Sequence, residues 1–433
     1  MLDVTVYPSP QADARLARIA TRKVGHAREL ETRVAEILEA VKRDGDDALL
    51  RYTRQFDAPD TELADLTVSE IEVDAAYRAV DQDFLDILRQ AIENIRRFHE
   101  PQRPQSWFTT RADGTILGQM VLPVAAAGLY IPGGQGGETP LISSVLMNGI
   151  PARIAGVADI ALVTPPRRDG SVNPHLLVAA REVGVTRIYK LGSAWAIGAL
   201  AFGTDTVKRV DVIVGPGNIY VTLAKKIVAG EVGIDMLAGP SEILVVADES
   251  ANPKHVAADL LSQAEHDPMA SAVLITTSEI LAQQVSRCLD EQLQCLPRAD
   301  VARQALLQYG ALFTVRHLDD ALRLANTMAP EHLELQIRDP WPWLGKVQHA
   351  GAVFLGTDTP EPVGDYFAGP NHVLPTAGTA RFASALGVEN FLKRTSVVYY
   401  SREAFERDAP AIMRLAELEG LHAHAASVRV RLT

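Results

Sequence analysis

The chain has 433 residues and a net charge of −12, with 47% hydrophobic and 22% charged residues. That length exceeds one ordinary core and implies two or more domains, in a composition expected of a soluble globular protein. The acidic balance argues against a general nucleic-acid binder, and no apolar run approaches the roughly 20 residues that span a bilayer. The amino terminus, MLDVTVYPSPQADARL, lacks the basic region and apolar core of a secretory signal. Two cysteines, Cys288 and Cys295, exclude a disulfide framework, so a reducing compartment is the expectation. Both lie on a predicted helix over 281–295 and read as small helix residues rather than ligands.

Residues 1–105 read as mostly helical and charged. Ile37, Leu38, Val41, Leu49 and Leu50 space like one buried face, and Phe84, Leu85, Ile87, Leu88, Ile92 and Ile95 like another. The segment GDDALLRYTRQFD predicts a helix start followed by a buried stripe with Tyr52 and Phe56. From about 120, short apolar runs alternate with helical ones, as in βα units around a parallel sheet. Strands are expected in VAAAGLYIP, DIALVTPP, RIYKLG, VDVIVGPG and EILVVAD, with helices over 141–154, 173–182, 194–201 and 218–228. Crossovers of that length are right-handed and place ligands at the carboxyl ends of the strands.

A second alternating set follows after 250: helix 253–266, strand AVLITT, helix 278–294, strand ALFTV, helix 318–328 and strand GAVFLG. This repetition implies an α/β fold of two Rossmann-like, doubly wound lobes, without a sequence repeat of fixed period. From about 387 a helical run over 404–418 leads into EGLHAHAASVRV, a small helical appendage.

Chemistry concentrates in a few polar clusters. Asn252-Pro253 reads as a helix cap followed by Pro in the first turn, and Pro268 ends the run. Gln263 and His266, three apart, leave the same face of the last turn. An amide oxygen and an imidazole there can hold a divalent metal; a plain polar helix end is the competing reading. The Gly-rich stretch Gly128 to Gly137, Gly215-Pro216-Gly217-Asn218 and Gly239-Pro240-Ser241-Glu242 are three turns at strand–helix junctions. Backbone amides in the first could hold phosphate oxygens, although its spacing is neither Gly-x-Gly-x-x-Gly nor a P-loop. Adjacent Glu331 and His332 point apart on most backbones, yet can serve two separate proton transfers at one substrate. Gly364 to His372 form a Gly/Pro loop with Asp365 as a hard oxygen ligand. Glu419, His422 and His424 lie in the tail, where a lone His usually carries no function.

Taken together, these blocks resemble the histidinol dehydrogenase family. The matching stretches, in the family's order over roughly 25–425, are GLYIPGG, SSVLMN, GPGNIYVTLAKK, IDMLAGPSEILVVAD, DLLSQAEH, APEHLEL, AGAVFLG, EPVGDYFAGPNHVLPT, TARFASALGVENFLKR and EGLHAH. The resemblance implies a cytosolic homodimer of two Rossmann-like lobes with small helical amino- and carboxyl-terminal extensions. The expected boundaries are 1–25 for the amino-terminal extension, 26–128 plus 241–386 for the lobe carrying metal and acid/base residues, 129–240 for the NAD lobe, and 387–433 for the carboxyl-terminal domain. The implied reaction oxidises L-histidinol to L-histidine in two NAD-dependent steps at the end of histidine biosynthesis, with one zinc per subunit. Gln263, His266, Asp365 and His424 match the zinc ligands, which also touch the substrate. Ser241, His332, His372 and Glu419 match further substrate contacts. By the same resemblance His332 takes the hydroxyl proton and Glu331 activates water against the aldehyde. Tyr130 and Asn218 match cofactor positions. Glu419 and His424 are implied to complete the partner subunit's site.

Two departures fall near the cofactor. The family usually reads Gly-Gly-Ala-Gln-Ala where this chain has Gly192-Ser193-Ala194-Trp195-Ala196. An indole cannot accept a hydrogen bond from ribose, but it can stack or donate one. The Gly-rich loop also carries extra residues at Gln135-Gly136-Gly137. Competing readings are a paralogue oxidising another small polar alcohol such as a sulfonated diol, and a non-catalytic protein that kept the fold. A zinc hydrolase is disfavoured, because no His-Glu-x-x-His motif is present.

Overall fold

The computed structural model describes residues 2–22, 27–133 and 139–432; the extra loop residues Gln135-Gly136-Gly137 lie outside them. Strands run in chain order as β1 (Val4–Val6), β2 (Trp107–Thr110), β3 (Ile116–Pro123), β4 (Ala126–Tyr130), β5 (Asp159–Thr164), β6 (Arg187–Lys190), β7 (Val212–Val214) and β8 (Gly233–Ile234). They continue as β9 (Glu242–Ala247), β10 (Ser271–Thr276), β11 (Ala311–Thr314), β12 (His332–Gln336), β13 (Ala352–Leu355) and β14 (Leu392–Tyr399).

The chain divides into two compact units, residues 1–102 with 125–391, and 103–124 with 392–433. The first holds two parallel sheets, with strand orders β1-β11-β10-β9-β12-β13 and β6-β5-β4-β7-β8. Apart from the edge strand β1, both wind alike. β9 or β4 is central, two strands add on one side, and the chain then returns to add two on the other. Each sheet therefore has a switch point, β9/β12 in one and β4/β7 in the other. EILVVA and SAVLIT read as continuous apolar runs because helices cover both faces of their sheet, and β10 is buried throughout. β1 pairs with β11 in register Val4↔Leu312, so the segment expected as an extension supplies an edge strand.

The helices Ala27–Asp44 and Asp46–Phe56 bury Leu38, Val41 and Leu49 in one core with Trp195, Ala199 and Ile213. The expectation that 26–128 belongs with the metal-bearing lobe differs from this packing, because the apolar stripe of those helices matches the five-stranded sheet. Of the expected boundaries, 128/129 falls inside β4 and 240/241 in the turn before β9. The second unit contains the antiparallel sheet β14-β3-β2 and the helices Arg402–Leu418 and His422–Arg429, so the expected helical appendage carries a sheet as well.

One buried ion pair shapes the turn after β7. Lys225 pairs with Asp235 and donates to the Gly215 carbonyl at 2.9 Å, while Gly215 N–H donates to Asp235 Oδ2 at 2.8 Å. Gly215 has φ +114, and a Cβ there would stand 2.2 Å from the Tyr130 carbonyl oxygen. The turn is thus locked against the end of β4. Gly215→Ala is expected to cost about 2–3 kcal/mol of stability, read as a lower urea midpoint.

Candidate active site

The five-stranded sheet presents its carboxyl ends, as the topology predicts. Tyr130 ends β4 and is buried, its hydroxyl accepting from Ser193 N–H at 3.1 Å. Asn218 follows β7 and caps the helix Ile219–Val228, its Oδ1 accepting from Tyr220 and Val221 N–H at 3.0 and 3.2 Å. The cap occupies the carbonyl and leaves the amide NH2 able to donate. Both residues flank the switch point. Trp195 lies behind them, 3% exposed, its ring stacked at 5.8 Å on Tyr52 and 5.6 Å on Phe56. Phe56 itself is 48% exposed rather than buried as its helical spacing predicts. Asp57, next to this stack, is pushed up to about 7 by burial.

The six-stranded sheet presents its amino ends instead. Ser241-Glu242 open β9, and Glu331-His332 open β12, on either side of the second switch point. The helix Pro253–Ala264 starts on Asn252, whose side chain accepts from Lys254 N–H at 3.0 Å. It returns antiparallel to β9 and brings Gln263 and His266 back to the same edge, where helix carbonyls favour a cation.

There the structure joins most of the expected residues. His332 Nε2 is 4.0 Å from Asp365 Oδ1, and His372 Nδ1 is 3.7 Å from Asp365 Oδ2. His332, Glu361 and Asp365 place ligand atoms within 4.8 Å of one another. Gln263 hydrogen-bonds to Glu361 with its amide, which turns its oxygen free for a metal. Nε2 of His332 and of His372 are buried without a partner among the described residues. The Gln263 amide, the His266 imidazole, on which the charge of Asp365 acts, and the Asp365 carboxylate are oxygen and nitrogen donors of the kinds that fit a zinc ion. Asp365 and His372 also line a cavity of about 1000 Å³ with an apolar wall that includes Phe98, Phe354 and Leu386. Glu419 and His424 belong to the second unit, where both are exposed.

Adjacent Glu331 and His332 do not diverge as expected; both engage Glu242. His332 Nδ1 meets the Glu242 carbonyl at 2.9 Å, and Glu242 N–H donates to Glu331 Oε2 at 2.8 Å. The first contact fixes the proton on Nδ1 and leaves the Nε2 lone pair facing Asp365. Burial lowers the pKa of His332 and of His266 despite the attraction of Asp365, so both imidazoles are neutral near pH 7. Burial, then the charge of Glu242, holds Glu331 well above the usual carboxyl range. Burial opposes ionisation of Asp365, but hydrogen bonding and charge from His372 outweigh it and lower its pKa.

Sequence reasoning missed the carboxyls behind this edge. HLELQ alternates like a half-exposed strand, yet every residue of β12 is buried. Its polar face continues from His332 to Glu334 and Gln336. Gln336 Nε2 bridges Asp259 Oδ2 at 2.5 Å and Glu334 Oε2 at 2.8 Å, and Glu334 Oε1 accepts from Glu361 N–H at 3.0 Å. The available signal was the pair of acidic residues in strand and loop with no adjacent basic residue.

Burial, then the charge of Asp259, pushes Glu334 up to about 8. An unfolded Glu titrates near ~4.3. The folded state therefore keeps a proton the unfolded chain loses, and this contribution drains away as pH rises from about 4.3 towards 8. Glu334→Gln removes the titration. Its stability relative to the parent is expected to rise between pH 5 and pH 8 by on the order of 1 kcal/mol, read by paired urea titrations.

A family model described as histidinol dehydrogenase matches residues 20–432. The histidinol dehydrogenase of Desulfotalea psychrophila is 57% identical over 402 residues, 93% of each chain. That of Nitratidesulfovibrio vulgaris is 58% identical over 402 residues, covering 93% of this chain and 92% of the relative. The crystal structure of histidinol dehydrogenase from Elizabethkingia anophelis superposes with a TM-score of 0.92 at 39% identity, covering 100% of this chain and 98% of that one.

Proposed function

The chain belongs to the histidinol dehydrogenase family and is an oxidoreductase, and from that premise we propose that it oxidises L-histidinol through L-histidinaldehyde to L-histidine in two successive NAD-linked steps. In the first, the hydroxyl proton passes to Nε2 of His332 as hydride leaves the carbinol carbon for the nicotinamide. The products are aldehyde, NADH and a proton. In the second, Glu331 takes a proton from water as the water oxygen adds to the aldehyde carbon, and returns it to the former carbonyl oxygen to give the hydrate. The hydrate then loses hydride to a second NAD, and a proton to base, and becomes the carboxylic acid.

The observation that carries this reading is the shared anchoring of the two bases on Glu242. His332 Nδ1 is committed to the Glu242 carbonyl, which leaves Nε2 as the proton acceptor. Burial raises the pKa of Glu331, which makes its carboxylate a stronger base towards water than an exposed one. Gln263, His266 and Asp365, with His424 of the partner subunit, would hold zinc, which would supply a Lewis-acidic centre for binding the substrate's nitrogen donors. Ser241, His372 and the partner subunit's Glu419 orient the substrate. Tyr130, Trp195 and Asn218 form the NAD side, with the Asn218 amide as donor. The assembly is a cytosolic homodimer.

His332→Asn is expected to slow alcohol oxidation about 10²- to 10⁴-fold. Glu331→Gln is expected to slow conversion of L-histidinaldehyde to acid by a similar factor and alcohol oxidation much less. Stopped-flow NADH formation from each substrate separates the two. Loss of alcohol oxidation with aldehyde oxidation spared in Glu331→Gln contradicts the assignment. For the shared site, subunits carrying His332→Asn and subunits carrying His424→Ala are each inactive alone. Random mixing is expected to restore about a quarter of parent activity; no recovery from mixed dimers contradicts the shared site.

A further inference from the structure

Arg22, from the amino-terminal segment, is a buried cation whose Nη2 pairs with Glu242 Oε1. The Glu242 carboxylate in turn accepts from two backbone N–H groups. Its Oε2 accepts from Glu331 N–H at 3.2 Å and its Oε1 from Ala377 N–H at 3.1 Å. Its own N–H donates to Glu331 Oε2 at 2.8 Å. The two glutamates thus brace each other, each carboxylate accepting from the other's main chain. A neutral Glu242 carboxyl accepts such bonds less well than an ionised one, and two like charges this close repel. An adjacent guanidinium resolves both problems.

We propose that Arg22 and Glu242 are positioning residues for Glu331: the ion pair fixes the Glu331 carboxyl against β9 for the aldehyde step. This rests on the reading of Glu331 as the water-activating base. Glu242 then does more than follow Ser241 in the Gly-Pro-Ser-Glu turn, and the amino-terminal segment contributes to the site as well as to the sheet edge. The groups that act on Glu331 are Glu242 from β9, His332 on its own strand, and Asp365 and Glu361 on the turn after β13, while Arg22 reaches it only through Glu242.

The experiment compares kcat for oxidation of L-histidinaldehyde with kcat for oxidation of L-histidinol by the zinc-loaded enzyme, with folding checked by circular dichroism and NAD affinity by fluorescence. In Arg22→Met and in Glu242→Gln the aldehyde kcat is expected to fall about ten- to a hundredfold, with KM and NAD affinity unchanged, alcohol oxidation slowed much less, and recovery in Arg22→Lys. An unchanged aldehyde kcat, an equal loss in both steps, or no recovery in Arg22→Lys overturns the proposal. If Arg22→Met does not fold, Glu242→Gln decides alone, and an unchanged aldehyde kcat there overturns it. Glu331→Gln run in parallel separates the two levels. If it keeps the parent's aldehyde rate, the choice of base is wrong and the proposal falls with it. If it loses the rate while Arg22→Met and Glu242→Gln keep it, only the positioning role fails.

Discussion

The constraint on which this site depends is the cost of taking carboxylates out of water. A carboxylate withdrawn from solvent costs several kcal/mol unless it is paired, protonated or bound to a metal. Asp259, Glu331, Glu334 and Glu361 are all buried, with Asp365 close by and only partly shielded. The chain meets that cost in three ways. Arg22 faces Glu242, beside Glu331. Glu334 and Glu361 are raised to about 8 and about 9, so protons neutralise them near pH 7. Asp365 sits between two imidazoles. A dication held at Asp365 continues the same logic, because it adds positive charge where acidic groups are densest.

The two sheets are wound the same way, yet they offer opposite ends to chemistry. Tyr130 and Asn218 follow the carboxyl ends of β4 and β7, at a switch point where loops diverge and leave a crevice. Ser241, Glu331 and His332 stand at the amino ends of β9 and β12, with Gln263 and His266 delivered by the end of a helix. Strand ends are rigid, so groups set on them keep their mutual distances. The locked turn at Gly215 fixes the end of β7 against β4 in the same way, through Lys225 and Asp235.

Much of this was legible in the sequence. The long apolar alternation from 120 onward specified parallel sheets, and Asn252-Pro253 and Asn218 were read as helix starts that the structure keeps. What escaped were features whose signal is tertiary. β12 was missed because His332, Glu334 and Gln336 look like a solvent face, and only the buried network behind them shows otherwise. β1 is three residues long and has meaning only beside β11. Arg22 and Glu242 are 220 positions apart, so no local pattern could pair them. The two helices at 27–56 showed their apolar stripe but not which sheet it covers.

The central claim is a four-electron oxidation at one zinc-bearing site, and the most direct measurement is the stoichiometry of NADH formed per L-histidinol by purified enzyme. The account predicts two NADH per L-histidinol, lost on removal of the metal by a chelator and restored by zinc. One NADH with aldehyde accumulating, or no turnover in protein shown to hold zinc, would contradict it.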